Sequence, residues 1–300
     1  MADKGEAPEL RPCATLAVGI TGHRGIGLTG AVADSTAAAF DKVFRSLAGV
    51  FEKTVVANAS FFSGAAPKMR MICMAADGAD LLGAVAARNC GAEVAVVLPF
   101  PIDEYRADFG PASAPLFDEI YAAAVTRFEL PGSRDEDARV YERANQVILA
   151  NIDILIAAWD GKRASGRAGT GDVVSDALSR SIPTIAIDPA LPDSLRVIIP
   201  RPASVLGEAL VKQMSWQTLN DELAPIVADQ IAPPAGETKR RGLIDFYAET
   251  PRSANWRIEY PGLLALFGAS RTRSAAQEQC PDAHGARFLR HVDNRVRQLI

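Results

Sequence analysis

The chain has 300 residues, 48% of them hydrophobic, with 32 Lys and Arg against 36 Asp and Glu for a net charge of −4. That composition supplies a sizeable core and is too acidic for a protein that coats nucleic acid, so direct nucleic-acid binding is not expected. The four cysteines, at 13, 73, 90 and 280, show no C-x-x-C spacing, which argues against a disulfide framework or zinc site and fits a reducing cytoplasm.

Residues 1–13 are polar and lack a signal-peptide core, so they read as a flexible N-terminus. No run of about 18 apolar residues is present to cross a membrane. A first strand is expected over 14–20 (ATLAVGI), followed by the loop TGHRGIGLTG. Gly25, Gly27 and Gly30 spell the G-x-G-x-x-G of dinucleotide-binding proteins. These glycines start five residues past the strand, however, and no acidic residue closes a second strand about 20 residues later, so the nicotinamide reading is set aside.

A helix over 31–51 carries Val32, Phe40, Val43, Phe44, Leu47 and Phe51 at helical spacing. Further strands are expected at 70–75, 93–98, 153–158 and 183–188, with helices at 78–89, 113–124, 137–150 and 171–180. Continuously apolar strands alternating with helices give an α/β fold. It is a doubly wound, mostly parallel, Rossmann-like sheet with its ligand crevice at the carboxyl ends of the strands. Past residue 190 the alternation fades into the proline-punctuated DPALPDSLRVIIPRP, and 203–230 reads as helical. The organisation is therefore a domain over 14–231, a linker over 232–242 and a mainly helical or irregular extension over 243–300. Residues 236–300 hold 11 Lys and Arg against 7 Asp and Glu, a basic tail on an acidic body.

Three stretches that follow strands carry the candidate chemistry. Thr21, Gly22, His23 and Arg24 leave the first strand with backbone N–H groups and a guanidinium suited to a phosphate. Asp77, Gly78 and Asp80 follow the second; Asp77 is a candidate helix cap, and the group is placed to border a ribose or base. The third is AAWDGKRASGRAGTGDVV, where Trp159 and Asp160 end a buried strand. There Gly169, Thr170 and Gly171 open a helix beside Lys162, Arg163 and Arg167, which forms a phosphate cradle without the G-x-x-x-x-G-K-[ST] of a triphosphatase. His23 is the only histidine before residue 284, so no catalytic triad and no metal cluster is expected.

GITGHR, ADGADLLGA, LPFPIDEYRADF, YERANQVILANIDILIAAWDG and GTGDVV, in this order over about residues 14–190, resemble the SLOG superfamily of Rossmann-like nucleotide-binding domains. The superfamily is named for the DNA-processing Smf proteins and the lysine-decarboxylase-like cytokinin-activating enzymes. The resemblance implies a nucleotide-derived small molecule as ligand, with no further cofactor required. Bacterial sensor branches imply a role in antiviral or stress signalling and a partner effector, helical or membrane-bound, reached through the C-terminal region. They also imply a homo-oligomer in the cytoplasm, attached to any membrane effector outside this chain.

The enzyme branch implies the motif P-G-G-x-G-T-x-x-E, with an arginine on the preceding helix. Gly169 and Thr170 match its Gly-Thr, while its glutamate falls on Val173. Arg143 stands on the arginine's helix, one residue out of register. Asp172 is one position from the missing carboxylate and is more simply a helix cap. A binding protein without catalytic residues is expected; a nucleoside monophosphate phosphoribohydrolase and a ligand-free interaction module are the alternatives.

Overall fold

A strand that is apolar along its whole length must be covered on both faces. In the computed structural model, which describes residues 11–23, 29–136, 138–162, 168–200 and 209–233, β1 (Thr15–Gly22) is buried as far as Ile20 and β5 (Ile154–Ala158) at every position. Between them run α1 (Ala31–Ala57), β2 (Lys68–Cys73), α2 (Ala79–Asn89), β3 (Glu93–Leu98), α3 (Ile102–Tyr105), a 3-10 turn at Arg106–Asp108, α4 (Ala114–Ala123), β4 (Thr126–Glu129) and α5 (Arg139–Ala150). After β5 follow α6 (Thr170–Ser179), β6 (Thr184–Asp188), β7 (Leu191–Pro200), β8 (Ala209–Met214) and α7 (Leu219–Ile231).

The strands form one sheet in the order β4-β3-β2-β1-β5-β6-β7-β8. From β4 to β6 every pairing is parallel, and β7 and β8 are added antiparallel. From β1 the chain builds outward to β4, then returns through α5 to β5 on the other side of β1. Strand order thus reverses between β1 and β5, which opens a crevice outside their carboxyl ends. Gly22 pairs with Ala158 and Thr21 with Ala157, so those two ends lie side by side. This is the doubly wound α/β architecture read from the sequence.

One side of the sheet is sealed by α5 and α6. Ala144, Ile148, Val173, Val174 and Ala177 of these helices form one buried cluster with Ala17, Ile72, Ala95, Leu155 and Ala157 of the strands. α2 approaches β1 through Gly83, where a Cβ would come within 2.0 Å of Ile20 Cδ1, so any larger residue would have to displace the end of that side chain. α1 buries Phe40, Val43, Phe44 and Leu47 completely, the three-four spacing of an amphipathic helix.

Two expectations need correction. Residues 191–200 are a strand, and the helix expected over 203–230 begins only at Leu219, after β8. Leu195 and Val197 are buried while Ser194 and Arg196 are half-buried, a period-two alternation masked by prolines near the two ends of β7. The four-residue β4 is exposed throughout and is too short and polar to be legible as a strand.

The described residues divide into two compact units. The larger, Thr15–Val50 with Lys68–Ala224, contains the whole sheet. The smaller takes in residues 11–14, Phe51–Pro67 and 225–233; within it Phe61 and Phe62 meet edge to face at 5.4 Å, and the Ser63 amide donates to Pro12 O at 2.8 Å. Most of the expected linker, from residue 234, and the extension over 243–300 lie outside the described residues. No described helix is long and apolar enough to cross a membrane.

Candidate functional site

The end of β1 is held against its neighbours. A Cβ on Gly22 would lie 2.5 Å from Ala79 Cβ and 2.7 Å from Ala158 Cβ, so glycine lets β1 meet both β5 and the start of α2. The Ala79 amide donates to His23 O at 3.2 Å, tying the same strand end to α2. Thr21 and Gly22 are half-buried and His23 is exposed. Arg24, like Gly25 and Gly27, lies outside the described residues.

Between β2 and α2 the chain turns through Ala75 at φ 53° and Gly78 at φ 100°. Gly78 is the cap residue of α2 and no side chain caps that helix, so Asp77, half-buried, does not have the capping role expected of it. Asp80 is only 7% exposed. Its Oδ2 accepts the amides of Met74 and Ala76, both at 3.2 Å, and burial followed by this carboxylate pushes the Cys73 thiol well above its ordinary range. Asp80 therefore shapes the loop from within.

At the end of β5, Trp159 donates its amide to Ile187 O at 2.8 Å and its indole Nε1 to Lys162 O at 2.7 Å. Asp160 accepts the Lys162 amide on Oδ1 and pairs with the Lys162 ammonium through Oδ2, each at 3.0 Å. Those two contacts, with a weaker attraction from His23, hold its carboxyl below the usual range. His23, just after β1, and Asp160, just after β5, thus lie at the same crevice.

A further residue was not legible in the sequence. Arg196 stands on β7 opposite Ala186 of β6, donates from Nη2 to Trp159 O at 3.1 Å and lies 5.9 Å from the Trp159 ring centre. Gly161, at φ 89°, gives it room: a Cβ there would be 2.9 Å from Arg196 Nη1. Its only signal was an arginine in a proline-rich run, which says nothing of strand pairing.

α6 opens at Gly169, an extended cap residue at φ −75° and ψ 167°, with no side chain capping the helix. Asp172 is exposed in the first turn and does not cap it, contrary to expectation. The amides of Asp172 and Val173 bond back to Gly169 O, and the N–H groups of Thr170 and Gly171 ahead of them have no acceptor within the helix. Val173, where the enzyme motif has its glutamate, is 5% exposed and part of the core.

Beside this turn a cleft of about 870 Å³ separates α5 from α6, with Arg143, Asn145, Ala168, Asp172 and Val173 among its walls. Arg143 pairs with Glu136 at 2.8 Å, and Gln146 reaches across to Asp176 at 3.0 Å. The structure therefore brings Arg143 and Asp172 together at this cleft, and Thr21, Gly22, His23, Trp159 and Asp160 together at the β1–β5 crevice. Among the described residues, no group of three His, Cys, Asp or Glu side chains is placed to hold a metal ion.

No protein-family model and no curated protein matches the sequence. Among solved structures, the chain is similar to DNA processing protein A (DprA) from Streptococcus pneumoniae, at 19% identity and a TM-score of 0.37 over 65% of this chain and 52% of that one. It is also similar to TM1055, at 15% identity and a TM-score of 0.34 over 56% of this chain and 72% of that one. The chain thus spans about half the length of DprA. By its strand order and the alternation of strands and helices, the protein has a doubly wound, Rossmann-like α/β fold.

Proposed function

We propose that the protein binds a nucleotide or nucleotide-derived signal at the carboxyl edge of its sheet and passes that occupancy to an effector, as a sensor rather than an enzyme. The observation that carries this reading is the start of α6. A ten-residue helix follows β5 at the reversal of strand order, with a glycine cap, no capping side chain and a threonine and glycine in its first turn. Phosphate belongs against Gly169, Thr170 and Gly171 and against the Thr21–His23 loop, with Arg24 as its cation. The ribose belongs beside Asp160, Trp159, Asp77 and Gly78, since an ionised carboxylate accepts from sugar hydroxyls and repels phosphate. The antiviral or stress-signalling role, a helical or membrane-linked effector reached through the C-terminal region, homo-oligomerisation and a cytoplasmic setting complete the proposal.

The enzyme alternative needs a group that activates water or steadies the developing ribosyl cation, help worth about 10²–10⁴ in rate. Val173 has no such group and is packed in the core. Incubation with nucleoside monophosphates is therefore expected to release no free base. Base release followed by chromatography, well above background and abolished by Asp172→Asn, would establish hydrolysis and overturn the sensor reading.

A further inference from the structure

Asn145 is a polar residue on the α5–α6 cleft that the proposed function leaves unused. It is 7% exposed and stands on the cleft wall. Its neighbours on α5 are engaged, Arg143 with Glu136 and Gln146 with Asp176, whereas no hydrogen bond reaches the Asn145 carboxamide among the described residues. A carboxamide offers two donors and an acceptor, and that of Asn145 is not among the described buried polar atoms left without a partner, which fits a side chain on the wall of an open cleft. Asn145 thus stands at the cleft with its donors and acceptor uncommitted to any described residue.

The cleft indicates what the partner is. Carboxylates outnumber arginines on its walls, which disfavours a phosphate and favours a neutral group rich in N–H donors. At about 870 Å³ it has room for a planar base, and through Ala168, Asp172 and Val173 it reaches the first turn of α6. Ala168 and Asp172, which flank Gly169–Gly171 in the chain, both line this cleft, so it adjoins the turn assigned to the phosphate.

We propose that Asn145 is the base-reading residue of this protein: its carboxamide pairs with the edge of a nucleobase that presents an adjacent donor and acceptor, inside the α5–α6 cleft. This rests on the nucleotide reading above. The full chain is titrated calorimetrically with AMP and with GMP, as wild type, Asn145→Leu and Asn145→Asp. The leucine variant, which can donate and accept nothing, is expected to bind both at least about tenfold more weakly. The aspartate variant keeps the shape but accepts only. It suits the adjacent N1–H and N2 amino donors of guanine, so the ratio of GMP to AMP affinity is expected to rise about tenfold. That ratio does not depend on the fraction of variant that is folded. Unchanged affinities and an unchanged ratio in both variants overturn the role of Asn145 and leave the nucleotide reading standing. No binding of either nucleotide by the wild type overturns this inference and counts against the nucleotide reading itself.

Discussion

Arg196 and Trp159, from strands two apart in the sheet, are joined twice: the guanidinium donates to the Trp159 carbonyl at 3.1 Å and lies 5.9 Å from the centre of its indole ring. Arg196 Nε is buried without a partner among the described residues, so this arginine is held by the turn it contacts and by the space that Gly161 leaves for it. It is a positioning residue for Trp159, at the start of the turn that carries Asp160 and Lys162. Arg196→Ala is expected to speed amide hydrogen exchange over residues 159–162 about tenfold, the loss of roughly 1.4 kcal/mol of local stability, while β1 and β2 exchange as before. Unaltered exchange in the turn would show that the Asp160–Lys162 contacts suffice alone.

The start of α6 allows stability and ligand binding to be separated. Thr170→Glu places a carboxylate in the first turn of a helix, where the dipole favours it by about 0.3–1 kcal/mol. The same charge repels phosphate. The variant is expected to melt at the wild-type temperature or slightly above and to lose most of its affinity for AMP. Retained affinity in calorimetry would move the phosphate away from Gly169–Gly171.

Arg70 and Glu93 face each other across β2 and β3, with Nε and Nη2 donating to Glu93 Oε2 at 3.0 and 2.7 Å. Burial pushes the Glu93 carboxyl up, but Arg70 and then Lys68 outweigh it and hold it below its usual 4.5. Because the folded-state value is the lower one, this stabilisation is full above the unfolded value and is lost as pH falls through the folded value. Glu93→Gln is therefore expected to cost on the order of 1 kcal/mol at neutral pH and less in acid. Urea melts at about pH 7 and pH 3 measure the difference, and an equal loss at both would mean that shape rather than charge matters at this position.

What the sequence determined by itself was the part of the protein written in runs and periods. ATLAVGI, EVAVVL and DILIAA are apolar throughout because both faces of a parallel sheet are covered, and the helices between them carry the three-four spacing of one buried face, so the doubly wound core was legible along the chain. The stretches at the strand ends were legible too, since glycines following an apolar run mark a close approach of backbone, and Gly22 makes that approach to Ala79 and Ala158. The tertiary structure decided which side chains those ends present. Asp80 and Asp160 each follow a strand closely, yet Asp80 turns inward to the amides of Met74 and Ala76 while Asp160 remains at the crevice, paired with Lys162. A carboxylate's direction depends on which amides the folded loop leaves near it, and local sequence does not encode that. Arg196 and Asn145 were invisible for a related reason: one meets Trp159 only through antiparallel pairing of β7 with β6, and the other faces the cleft only because α5 and α6 pack side by side on the same sheet. Local pattern is fixed by the burial each residue needs, whereas a binding wall is made of residues far apart in the chain, and only packing brings them together.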